Sequence, residues 1–194
     1  MNTRSSVHSA KRSLVKSISP VDLVVNGDFF NPVRGTGGYN TIYNDVIVPP
    51  LTTSLPNWTM TGRTVYLGNG ITPFANFAPT SLSRRQYVVV TIEESPPTPV
   101  TITQSIDISS TGTYAVTLYM CLRLAFQFPT IVCTFNGVSF TATNIALNDF
   151  QFTANSFTAY VASPGTYPLK LTFTGTGGQQ ISVASVSVNK VTYS

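Results

Sequence analysis

Residues 113–125 read TYAVTLYMCLRLA, and this stretch decides the fold. Tyr114, Val116, Leu118, Met120, Leu122 and Leu124 share one parity, while Ala115, Thr117, Tyr119, Cys121 and Arg123 share the other. A period of two places these sets on opposite faces of a pleated strand, whereas a helix would need a period near 3.6. Upstream, Val100, Ile102, Ile106 and Ile108 alternate with Thr101, Thr103, Ser105, Asp107 and Ser109. Gln104 stands in the apolar register and needs a hydrogen-bond partner if buried. Downstream, Leu169, Leu171 and Phe173 alternate with Lys170, Thr172 and Thr174. Ile181 and Val183 are in one phase and Val186 and Val188 in the other, so a β-bulge is predicted at Ala184-Ser185.

Further strands are predicted at 23–25, 64–67, 86–92, 131–135, 139–142, 150–153 and 157–161. Turn residues separate them: Ser110-Thr111-Gly112, Asn136-Gly137, Ser163-Pro164-Gly165 and Thr176-Gly177-Gly178. Asn136-Gly137, between Phe135 and Val138, is a two-residue hairpin signal. Many short strands with almost no helical pattern predict an all-β, antiparallel sandwich, a single jelly roll.

Composition agrees. The chain has 194 residues, one domain's worth, and only 9% are charged against a usual level of about 25%. Serine and threonine number 20 and 28, so much of the polar surface is hydroxyl rather than charge. The net charge of +4 sits in residues 1–20, which carry Arg4, Lys11, Arg12 and Lys16 and no acid. The domain division is therefore a basic, Ser-rich arm at 1–20 and a neutral sandwich at 21–194. The arm reads as a solvated tail, as a tie to a neighbouring subunit, or as a weak polyanion contact. It lacks the apolar stretch of a secretory signal, and no run long enough to span a membrane occurs.

Catalytic machinery is scarce. The one histidine, His8, lies in the arm, which removes Ser-His-Asp and Cys-His chemistry from the sandwich. Cys121 and Cys133 fit no zinc spacing and read as buried thiols. Glu93 and Glu94 are adjacent, so a strand sends them to opposite sides. No phosphate loop or nucleophile elbow appears. The chain is expected not to be an enzyme and to need no cofactor.

The body resembles the galactose-binding-domain-like jelly rolls, a group that includes many carbohydrate-binding modules. The resemblance rests on Val24-Val25-Asn26-Gly27-Asp28-Phe29 and Leu55-Pro56-Asn57-Trp58-Thr59. It continues through Ile102-Thr103-Gln104-Ser105-Ile106-Asp107, Gly112-Thr113-Tyr114, Val132-Cys133-Thr134-Phe135-Asn136-Gly137 and Val183-Ala184-Ser185-Val186-Ser187-Val188. It implies the fold and places Trp58 in the core. It also implies a structural calcium ion. Phe30 and Ala184-Ser185, however, stand where the family's acids commonly lie, so no metal is expected, although Asp28 and Asp45 offer oxygens.

Two functions fit these residues. The arm, the low charge and the missing secretory signal favour a single jelly-roll capsid subunit, a penton or minor capsid protein of a virion assembled in the host cytoplasm. Its partners would be itself, as a homo-oligomer such as a pentamer, and other capsid proteins. The alternative is a carbohydrate-binding module that reads a glycan through aromatic residues. In either case Tyr39, Tyr43, Tyr66, Phe74 and Phe77 are the candidate interface or glycan residues. Tyr39 and Tyr43 belong to a predicted long loop, 31–56.

Overall fold

The computed structural model describes residues 16–25, 27–29, 40–44, 55, 57–61, 64–69, 86–92, 99–124, 128–143, 145, 152–176 and 178–193. They form β1 (Lys16–Asp22), β2 (Asn40–Asn44), β3 (Thr59–Thr61), β4 (Thr64–Asn69), β5 (Gln86–Ile92), β6 (Val100–Ile108), β7 (Gly112–Leu124), β8 (Thr130–Phe135), β9 (Val138–Thr141), β10 (Thr153–Val161), β11 (Gly165–Thr174) and β12 (Gln179–Tyr193). All pair antiparallel. One sheet runs β10-β7-β12-β5-β4-β2, with β1 also on β12; the other runs β3-β6-β11-β8-β9. Among the described residues no helix is long and apolar enough to cross a membrane.

The two sheets pack through the apolar parity of their strands. Val116, Leu118, Met120 and Leu122 of β7 face Ile102 and Ile106 of β6, Ile131 and Phe135 of β8, and Leu169, Leu171 and Phe173 of β11 in one buried cluster. Each such side chain contributes about 1.5–3 kcal/mol on leaving water. In β5 the run Tyr87-Val88-Val89-Val90 does not alternate, because this part of its sheet is covered on both faces. Val88 and Val90 join the main core, while Tyr87 and Val89 form a second cluster with Ala184, Tyr119 and Phe152.

β12 organises its sheet. It pairs with β7 along one edge and with β5, then β1, along the other. Its register on β7 slips between Val183 and Ser185, so Ala184 is the extra residue of a bulge, where the change of apolar phase predicted one. The Asn136-Gly137 hairpin also forms: φ is +46° and +75°, as a type I′ turn requires, and Asn136 Nδ2 donates to the Tyr160 carbonyl of β10 at 2.7 Å. Cys121 and Cys133 are buried free thiols, and burial pushes Cys133 up to about 12, which keeps it a neutral, unreactive thiol.

Three features differ from the sequence expectation. Lys16–Pro20, assigned to the arm, belong to β1 and pair with β12 of the same chain. The predicted strand at 23–25 is instead the segment that follows β1. The stretch read as a loop at 31–56 contains β2, which pairs with β4. Patterns of three to seven residues with Pro or Asn among them carry too little periodicity to reveal such strands.

At the junction of β1 and β12, Asp22 Oδ1 accepts the amides of Val24 and Val188, both at 3.0 Å. Burial raises the Asp22 carboxyl above its usual value of 3.8, and the nearby charge of Asp28 raises it further. A raised folded-state value means that the folded chain holds the proton more tightly than the unfolded chain. The contribution of this group is therefore fully present below pH 3.8 and is lost as pH rises through the folded value. Asp22→Asn keeps one oxygen for both amides but cannot ionise. Its melting temperature relative to wild type should rise between pH 3.5 and 7; a flat difference across that range refutes the assignment.

Candidate binding site

Asn57 determines where the site opens. Its φ of +68°, a left-handed conformation that asparagine tolerates better than most residues, bends the chain just before β3. The Trp58 amide donates to the Leu55 carbonyl at 3.1 Å and closes this turn. β3 consequently pairs with β6 only at Thr101, Ile102 and Thr103. Beyond Thr103, β6 keeps β11 on one side, but among the described residues no strand lies on the other.

A concavity of about 570 Å³ occupies that free edge. This lies within the usual size range of small-molecule sites, roughly 300–1,000 Å³. Thr103, Ser105 and Asp107 line it from the polar parity of β6, and Thr59 lines it from β3. Asn57 and Val25 form its sides, and buried Leu55, Trp58 and Gln104 border it from the core. Trp58 is 6% exposed and packs on Phe29 with ring centroids 5.4 Å apart.

Gln104 is the polar residue in an apolar register that required a partner. Its Oε1 accepts the Val25 amide and its Nε2 donates to the Val25 carbonyl, both at 2.8 Å. A side chain 4% exposed is thus fully used, and it fixes the Val25 wall against β6. Asp107 is fixed from the other side: Thr166 Oγ1, on β11, donates to Asp107 Oδ1 at 2.6 Å. Among the described residues the lining holds one carboxylate and no cation. The rest of the outer face of this sheet is mostly hydroxyl, as in the Thr61–Thr101 pair at 2.5 Å.

The residues singled out from the sequence are only partly described. Arg4, Lys11, Arg12, Tyr39, Phe74 and Phe77 lie outside the described residues. Lys16 is the first residue of β1, paired with Tyr193. Tyr43 is on β2 and Tyr66 on β4, both in the seven-stranded sheet, whereas the concavity is at the edge of the five-stranded one. Trp58 is buried beneath the concavity. Reading from sequence missed Asn57, Ser105 and Asp107. The available signal was an acid at the end of an otherwise hydroxyl row, 101–109, opposite an Asn at a turn.

Asp22 Oδ1 already accepts two amides, and among the described residues no three metal-binding side chains gather. Asp45 lies outside them.

No family model matches this chain, and no curated protein matches it. Solved structures do match. TmCBM61, solved in complex with β-1,4-galactotriose, aligns with a TM-score of 0.59 and 11% identity over 88% of this chain and 99% of its own. The enzymatically active domain of tailspike protein 4 from bacteriophage CBA120 aligns at 0.57 and 15% over 87% of this chain. An arabinose-bound α-L-arabinofuranosidase aligns at 0.55 and 16% over 87%. The chain spans only 21% and 26% of those two proteins.

These alignments show the fold alone: an all-β, antiparallel jelly-roll sandwich like that of TmCBM61. They overturn the expected capsid (penton or minor capsid) function, because the jelly roll matches a carbohydrate-binding module along nearly that module's whole length, and they lend no support to the expected capsid partners. The physical ground for the capsid reading also weakens. Lys16–Pro20 of the supposed subunit-tying arm are used within the chain's own sheet. The hydroxyl-rich surface surrounds a concavity rather than serving only as a surface easy to bury.

Proposed function

We propose that this chain is a non-catalytic carbohydrate-binding module that holds a glycan in the concavity at the free edge of β6. The observation that carries this reading is the lining itself. Asn57, Thr59, Thr103, Ser105 and Asp107 supply an amide, hydroxyls and a carboxylate around an opening with buried Trp58 beneath it. Sugar hydroxyls both donate and accept, and hydroxyl and amide groups match both roles. The Gln104–Val25 and Thr166–Asp107 bonds hold two sides of the site before a ligand arrives, which lowers the ordering cost of binding. Among the described residues one carboxylate lines the site, whereas glycoside hydrolysis commonly uses a pair.

The test is a glycan array followed by calorimetric titration of the best ligand. Wild type should bind selectively, and the Ser105→Ala, Asp107→Ala double variant should lose at least about tenfold in affinity, on the order of 1.4 kcal/mol. The melting temperature should stay within a few degrees, because both side chains are exposed. A protein that binds no glycan, or a double variant that binds like wild type, would refute the site.

A further inference from the structure

Resting on the glycan-binding reading, we infer that the site selects neutral glycans and rejects those carrying carboxylates, with Asp107 as the selecting residue. Among the described residues Asp107 is the only ionisable side chain in the lining. The hydrogen bond from Thr166 fixes its Oδ1, so the carboxylate cannot swing away from an incoming ligand without losing that bond, and Oδ2 remains for the ligand. That oxygen accepts from a sugar hydroxyl and repels a sugar carboxylate.

Among the described residues no cation is placed to offset this charge. Lys170 is on the same face of the sheet but is the register partner of Thr103, while Asp107 is the partner of Thr166. Four residues along a strand separate the two backbone positions by about 13 Å. Lys190 is held by Ser110 Oγ at 2.8 Å, past the end of β6, and makes no ion pair with Asp107. A ligand carboxylate beside Asp107 would therefore meet a like charge that no described cation offsets.

The experiment uses immobilised polysaccharides in matched pairs that differ by a hydroxymethyl or a carboxylate at one carbon: β-1,4-mannan with β-1,4-polymannuronate, and β-1,4-glucan with β-1,4-glucuronan. Wild type should bind at least one neutral member and bind its uronic partner about fivefold to tenfold more weakly, the size of one like-charge contact near 4 Å in a largely aqueous setting. Asp107→Asn keeps an acceptor for Thr166 and should close that gap. Lys170→Gln should leave it unchanged. Added salt should narrow the gap in wild type and not in Asp107→Asn. Equal or tighter binding of uronic partners by wild type, or an unchanged gap in Asp107→Asn, overturns the selection while leaving glycan binding intact. Failure to bind any member of the panel overturns both.

Discussion

Trp58→Ala should lower the stability of the chain by about 3–5 kcal/mol, the usual cost of emptying a large aromatic site in a core. For a domain of this size that is a fall of about 6–20 °C in melting temperature. The residue is 6% exposed, packs on Phe29, and lies in the main cluster with Leu55 and Met60. Phe29 is held at φ +53°, a strained setting for a bulky residue, so it has little freedom to move into the space left behind. The void also lies directly beneath the concavity. Glycan affinity should consequently fall even at temperatures where the variant remains folded, because the Leu55–Trp58 turn loses its support. Trp58→Phe preserves a ring against Phe29 and should fall between the two. A melting temperature for Trp58→Ala within two degrees of wild type would show that Trp58 is not a core residue.

The sequence disclosed the central strands and concealed the site, for one physical reason. β6, β7, β11 and β12 are long and face a core on one side, so burial imposes alternation, and alternation is legible. The same logic located the bulge at Ala184 and identified Gln104 as a buried group in need of a partner, although not that the partner would be the Val25 backbone. Edge strands carry less information. β3 has three residues and β2 five, and their existence depends on pairing with residues far away in sequence. The site depends on such an edge. It exists because β3 stops pairing at Thr103 and Asn57 turns the chain away, leaving Ser105 and Asp107 exposed beside a gap. A row of polar residues on a strand signals only an outer face; which part of that face a neighbouring strand leaves open is a property of the assembled sheet. Aromatic residues drew attention for the opposite reason. Tyr43 and Tyr66 have the chemistry of a sugar platform, but their strands place them in the other sheet.

Gly27→Ala should be as damaging as Trp58→Ala, at about 3–5 kcal/mol, although it adds only one methyl group. The added carbon would lie 2.2 Å from the Val186 carbonyl oxygen and 2.9 Å from Val24 Cγ1. A backbone carbonyl in the central strand cannot rotate away as a flexible side chain would. The 22–27 segment must then lift off β12, and overpacking of this kind costs about 1–3 kcal/mol alone. Three bonds go with it: Val186 N to Gly27 O at 2.8 Å, Leu23 N to Val188 O at 3.0 Å, and Val188 N to Asp22 Oδ1 at 3.0 Å. Each contributes about 0.5–1.5 kcal/mol net. These bonds close the edge of β12 between its β5 and β1 partners, so their loss opens the middle of the sheet. Gly137→Ala separates this steric cause from backbone strain. Gly137 has φ +75° but nothing within 4 Å of an added carbon, so its cost should be only the roughly 1–2 kcal/mol of a left-handed residue. Urea unfolding of the two variants decides the matter: the midpoint should fall further for Gly27→Ala, and the Val186 amide should exchange faster in that variant alone. The reverse order would mean that Gly27 does not press on β12.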